Sequence, residues 1–203
     1  IAAGCLAHDL GNPPFGHSGE TAITSYFSED KGMRLKEKII KEGGRWEDFI
    51  NFEGNANSIR LLIHQFNGRR RGGFVMTYSM LASIVKYPYS SIAANGAGKF
   101  GFFEAEEKDF KRIANELGMH CIQENPLKYA RHPLVYLVEA ADDICYKIMD
   151  LEDAHKLGLL TTEQTIELFL NFFPEEKQRK MQKTLQVVSD INEQIAYLRS
   201  SVI

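Results

Sequence analysis

Apolar residues recur along this chain at three- and four-residue spacing, and alternating strand-like patterns are almost absent. The pattern predicts helices over 1–9, 17–28, 33–42, 54–66, 76–86, 104–117, 131–157, 161–171 and 174–199, so the fold class is all-α. Between them stand turn signals: Gly11-Asn12-Pro13-Pro14, Gly43-Gly44, Asn67-Gly68, Gly72-Gly73, Pro88, Asn95-Gly96 and Gly118. The stretch from Tyr87 to Phe103 reads as an ordered loop or lid, and Arg69-Arg70-Arg71 as a solvated turn. In the last predicted helix Met181, Leu185, Val188, Ile191, Ile195 and Leu198 form one apolar stripe. The opening run Ile1-Ala2-Ala3-Gly4-Cys5-Leu6-Ala7 has no helix cap, and the end at Ile203 is still apolar. Both ends read as cut edges, so we expect one helical domain over 1–203 truncated at each side.

Composition narrows the picture without identifying a chemistry. The 203 residues are 44% hydrophobic and 25% charged, which excludes disorder, collagen-like order and a coiled-coil rod. Net charge is −3, so no broad basic surface waits for nucleic acid or membrane, and an anionic substrate must be held by local cations or a metal. Cys5, Cys121 and Cys145 lack metal or redox spacing and suit reduced thiols in a cytoplasmic protein. No apolar run is long enough for a membrane span.

Candidate chemistry concentrates in two segments. In Ala7-His8-Asp9-Leu10-Gly11-Asn12-Pro13-Pro14-Phe15-Gly16-His17-Ser18-Gly19-Glu20, an imidazole and a carboxylate end one helix, where both could address a single cation. Gly11 and the two prolines then force a rigid turn, and the restarted helix sets His17 and Glu20 one turn apart on one face. Such a glutamate orients a histidine for acid–base work. A bare surface ion pair is the plainer alternative, and it would not need the rigid turn.

The second segment lies in the longest predicted helix, where Asp142, Tyr146 and Asp150 fall at i, i+4 and i+8 along one side. The expected core face is Leu134, Leu137, Val138, Ala141, Cys145 and Ile148, with Asp142 at its boundary and Asp143 towards solvent. A partly buried carboxylate calls for a cation beside it. Glu152 and Asp153 read as solvated charges. Glu53 and Asn55 either border the site or cap a helix, and Arg60, one turn from His64, is better read as an ion-pair partner than as a phosphate ligand. The Gly96-Ala97-Gly98-Lys99 string is not a phosphate loop, because Phe100 replaces Ser or Thr and no strand precedes it.

These segments, with Phe52-Glu53-Gly54-Asn55-Ala56, Lys86-Tyr87-Pro88 and Asp150-Leu151-Glu152-Asp153-Ala154, follow one another in an order that resembles the bacterial deoxyguanosinetriphosphate triphosphohydrolases, members of the HD-domain metal phosphohydrolases. The resemblance covers residues 1 to about 160 and thins over 161–203. It implies an HD-type helical bundle and a divalent cation, Mg²⁺ or Mn²⁺, held by His8, Asp9 and Asp142. It also implies a first histidine ligand on a preceding helix, which none of His64, His120, His132 or His155 replaces. His17 and Glu20 match the family's acid–base pair. Tyr146 matches the residue packed on the deoxyribose and Asp150 the one that binds the 3′ hydroxyl. Lys86 and Lys99 look like lysines that meet the triphosphate, and Asn12 joins the substrate-binding set. The implied reaction is water attack on the α-phosphorus of dGTP or another dNTP, releasing the deoxynucleoside and tripolyphosphate. A homo-oligomer such as a hexamer and control by single-stranded DNA or a nucleotide effector go with it. Two other readings stay open: a different HD-type nucleotide phosphohydrolase, and a non-catalytic regulatory or oligomerisation module.

Overall fold

The computed structural model describes all residues except 30, 69–72 and 95–97. The Arg69-Arg70-Arg71 turn and most of the glycine string before Lys99 therefore lie outside the described residues. The chain divides into two compact units, Ile1–Val138 and Glu139–Ile203.

The first unit carries α1 (Ala2–Ala7), α2 (His17–Glu29), α3 (Lys36–Lys41), α4 (Glu47–Ile50), α5 (Gly54–Ile63), α6 (Tyr78–Ser83) and α7 (Glu104–Glu116). A hairpin of β1 (Cys121–Glu124) and β2 (Leu127–Tyr129) follows, and α8 (Leu134–Lys156) begins in this unit. The mostly helical fold expected from the periodicity is present. The hairpin was not expected, because strands of four and three residues are too short to show a period of two.

Helix α5 is the axis of the site. The Glu53 side chain caps it by accepting from the backbone N–H groups of Asn55 and Ala56, while Ile59 and Leu62 turn into the core. That core gathers Leu81, Ile84 and Val85 with Phe102, Phe110, Ile113, Leu127 and Tyr129. The rings of Phe102 and Phe110 stack 4.5 Å apart. Among the described residues of the Tyr87–Phe103 stretch, Tyr89 bridges to Lys128 and Ser90 to Phe102.

The second unit contains the rest of α8 with α9 (Thr162–Leu170), α10 (Glu175–Val187) and α11 (Ile191–Val202). A Thr161/Gln164 capping box starts α9. The single helix expected over 174–199 is two: Val188 is extended, and Asp190 caps a new helix through the Glu193 N–H. Gln194 bridges the break by donating to the Leu185 and Val188 carbonyls, at 3.0 and 2.6 Å. Met181, Leu185, Ile195 and Leu198 still bury together with Ile148 and Phe169, whereas Ile191 is exposed.

Two expectations for α8 need correction. Leu137 and Cys145 are exposed rather than core, and the buried residues of the helix include Val135, Val138 and Ile148. Glu152 is not a solvated charge. It is buried between Arg199 at 2.7 Å and Lys156 at 2.8 Å, and the hydrogen bond from Lys156, with that from Arg199, holds its carboxyl below the ordinary value. Asp153 is exposed as expected.

Candidate active site

The turn after α1 is fastened to the first turns of α5. Gly11 N–H donates to the Ser58 hydroxyl at 2.9 Å, the Asn57 amide donates to the Gly11 carbonyl at 2.9 Å, and the Ser58 hydroxyl donates to the His8 carbonyl at 2.9 Å. Only glycine fits at position 11, since a Cβ there would stand 2.2 Å from both the Gly54 carbonyl oxygen and the Ser58 nitrogen. The chain then turns through Pro13-Pro14, with Phe15 and Gly16 both at positive φ, into α2. Phe15 is 92% exposed there, an aromatic residue in a conformation that non-glycine side chains rarely adopt.

Within this frame His8 and Asp9 form the first cluster. His8 Nδ1 lies 2.8 Å from the Cys5 carbonyl, which can only accept, so Nδ1 is the donor of that contact and Nε2 is the ring nitrogen that a cation would meet. Nε2 stands 3.4 Å from Asp9 Oδ2, and the Asn12 amide donates to Asp9 Oδ1 at 3.0 Å. An imidazole nitrogen with its Nδ1–H fixed by a carbonyl, next to a braced carboxylate, is a donor pair that divalent metals accept. Among the described residues no three His, Cys, Asp or Glu side chains are gathered as a complete cage. The donor chemistry of this pair fits a metal, for which it would supply part of a coordination shell.

The second cluster joins His17, Glu20 and Lys99. His17 Nδ1 lies 2.8 Å from Glu20 Oε2, confirming that the turn brings the two onto one face. Glu20 Oε1 accepts the Gly54 N–H at 2.8 Å. Lys99 Nζ stands 3.1 Å from Glu53 Oε1 and 3.6 Å from Glu20 Oε2. Burial pushes the Glu20 carboxyl up, but the His17 and Gly54 hydrogen bonds and the Lys99 charge outweigh it, so the group sits below its ordinary value. Burial acts in the opposite sense on Lys99, yet the Glu53 carboxylate and then Glu20 keep its ammonium above the usual range. His17 itself is 86% exposed, so its Nε2 edge is open to a substrate or water while Nδ1 is held.

The remaining candidates are placed as follows. Glu53 is the helix cap expected and also the partner of Lys99. Arg60 pairs with Glu106 at 2.7 Å, the structural role expected. Lys86 is half-buried, and its carbonyl accepts from the Arg131 guanidinium at 2.7 Å. Asp142, Tyr146 and Asp150 belong to the second unit, along one side of α8. Asp142 is half-buried, while Tyr146, Asp150 and the neighbouring Asp143 are exposed. Ser58 and Asn57 had no motif to mark them, and their roles exist only because Gly11 packs on α5.

No family model matches the sequence. Among curated proteins, the chain is 42% identical over 178 residues to a deoxyguanosinetriphosphate triphosphohydrolase-like protein of Pseudomonas aeruginosa, covering 84% of this chain and 38% of that protein. It is 38% identical over 169 residues to a protein of the same description from Synechocystis, covering 79% and 38%. It is 33% identical over 195 residues to the deoxyguanosinetriphosphate triphosphohydrolase of Yersinia enterocolitica, covering 81% and 36%. The chain thus spans little more than a third of the length of the relatives it matches.

Proposed function

We propose, from the premise that this chain belongs by homology over most of its length to the deoxyguanosinetriphosphate triphosphohydrolase-like proteins, that the whole protein hydrolyses dGTP or a wider set of dNTPs to deoxynucleoside and tripolyphosphate. The observation that carries this reading is the 2.8 Å His17–Glu20 contact on a turn braced against α5, directly after the His8-Asp9 pair. In the proposed reaction His17 acts at Nε2, taking a proton from the attacking water or giving one to the leaving 5′ oxygen. Glu20 holds Nδ1–H, fixing the tautomer and stabilising the imidazolium when it forms. Asn12 braces Asp9 and borders the substrate, and Lys86 is assigned to the triphosphate. Tyr146 packs on the deoxyribose and Asp150 binds the 3′ hydroxyl, and packing of this kind at the 2′ position disfavours ribonucleotides. His8, Asp9 and Asp142 are the ligands proposed for Mg²⁺ or Mn²⁺, which when bound would neutralise phosphate charge and make water more acidic. The whole protein is proposed to form a homo-oligomer, with single-stranded DNA or a nucleotide as effector.

The test uses the full-length protein with each dNTP and Mn²⁺ or Mg²⁺, assayed for products. Tripolyphosphate as first product supports the reading. Pyrophosphate or orthophosphate as first product overturns it in favour of another HD-type phosphohydrolase, and no turnover favours a non-catalytic module.

A further inference from the structure

We propose that Arg131 is a positioning residue for substrate binding: it holds the Lys86-Tyr87 turn so that the Lys86 ammonium is presented to the triphosphate. This rests on the assignment of Lys86 to the triphosphate given above. Arg131 Nε donates to the Lys86 carbonyl at 2.7 Å, across 45 residues of chain. The same guanidinium lies over two rings, 6.0 Å from the centroid of Tyr87 and 5.4 Å from that of Tyr136. One planar group thus grips the turn twice, by the carbonyl of one residue and the ring of the next. A guanidinium can do this because its N–H edge and its π face are separate binding surfaces.

The grip falls where the backbone is otherwise held least firmly. Beyond Pro88 the chain is fastened to its neighbours: Tyr129 N–H donates to the Pro88 carbonyl at 2.8 Å, Ser90 N–H to the Leu127 carbonyl at 3.1 Å, and Gly101 N–H to the Tyr89 carbonyl at 3.0 Å. Before it, the chain leaves α6 through longer local contacts, Val85 N–H to Ala82 at 3.4 Å and Lys86 N–H to Ile84 at 3.2 Å. Arg131 adds a short, long-range bond at Lys86 itself. Its own backbone is anchored on both sides. Ala130 N–H donates to the His120 carbonyl at 2.8 Å, Tyr129 is 3% exposed in the core, and Val135 in the first turn of α8 is fully buried. The end of the hairpin therefore carries a guanidinium at a fixed place, and the guanidinium fixes the peptide from which the Lys86 side chain starts. A small displacement of that peptide is multiplied along a four-carbon side chain, so the phosphate contact depends on it.

The test compares K86M, R131M and the double variant in the full-length protein. R131M should raise KM for dGTP by roughly tenfold while kcat changes by less than about threefold, because a phosphate ligand holds ground state and transition state alike. The double variant should have nearly the KM of K86M, since Arg131 acts through Lys86. Losses that multiply in the double variant, or a fall in kcat at constant KM, would overturn the proposal. Independently of turnover, hydrogen exchange at the amides of 85–87 should quicken in R131M while the amides of Tyr89 and Ser90 exchange as in wild type. Unchanged exchange at 85–87 would overturn the proposal as well. If the wild type turns over no nucleotide, the proposed function fails, and the exchange pattern still decides whether Arg131 holds the turn.

Discussion

The Ser58 hydroxyl donates to the His8 carbonyl at 2.9 Å and accepts the Gly11 N–H at the same distance, joining two segments about fifty residues apart. One small buried side chain thus closes the turn that lies between the His8-Asp9 pair and the His17–Glu20 pair. Ser58→Ala leaves a half-buried carbonyl and a buried N–H without that partner, so a loss of about 1–3 kcal/mol in unfolding free energy is expected. Denaturant titration checks it, and an unchanged midpoint would mean that the turn is held by Gly11 and Asn57 alone.

Two glycines in this turn separate steric from conformational cost. At Gly11 an added Cβ meets backbone atoms at 2.2 Å, and backbone cannot step aside, so Gly11→Ala should cost several kcal/mol, about 3 or more, and dislodge the turn. At Gly16, where φ is +54°, a Cβ meets nothing within 4 Å, so Gly16→Ala should cost only the left-handed backbone penalty of about 1–2 kcal/mol. Equal losses at both sites would contradict the close packing of Gly11 on α5.

The legible and illegible parts of this molecule divide along sequence distance. The helices came from periodicity, and the His17–Glu20 contact from three-residue spacing after a diproline turn, because both are local geometry. The break at Asp190 was missed because apolar spacing runs through it, although an aspartate three residues before a glutamate is a helix-start signal. Glu152 was misread because the partner that buries it, Arg199, lies 47 residues away. The carboxylates beside Lys99 follow only from the packing of Phe100 on α5, which no local spacing shows.

His17→Ala separates acid–base work from metal binding. With Nδ1 held by Glu20 and the ring otherwise exposed, the residue can lose its imidazole without disturbing packing. In the full-length protein kcat should fall by roughly 10² to 10⁴, the usual loss for an acid–base group. Calorimetric titration with Mn²⁺ should give an affinity close to wild type, and a parallel loss of metal would make His17 a ligand instead.

The Glu20 carboxyl lies below its ordinary value in the folded protein, which fixes the sign of its contribution to stability against pH. A depressed carboxylate binds fewer protons folded than unfolded. Its contribution is therefore complete above the unfolded value, near 4.5, and is lost as pH falls through the lower folded value. Glu20→Gln removes the charge that His17 and Lys99 stabilise, so wild type should be the more stable of the two at pH about 7. That gap should shrink below pH about 4.5, as the wild-type carboxyl takes up its proton and resembles the amide. Unfolding midpoints of both proteins across this window provide the measurement. A gap that stayed constant on acidification would mean that hydrogen-bond geometry at Gly54, rather than the charge facing His17 and Lys99, carries the contribution of this side chain.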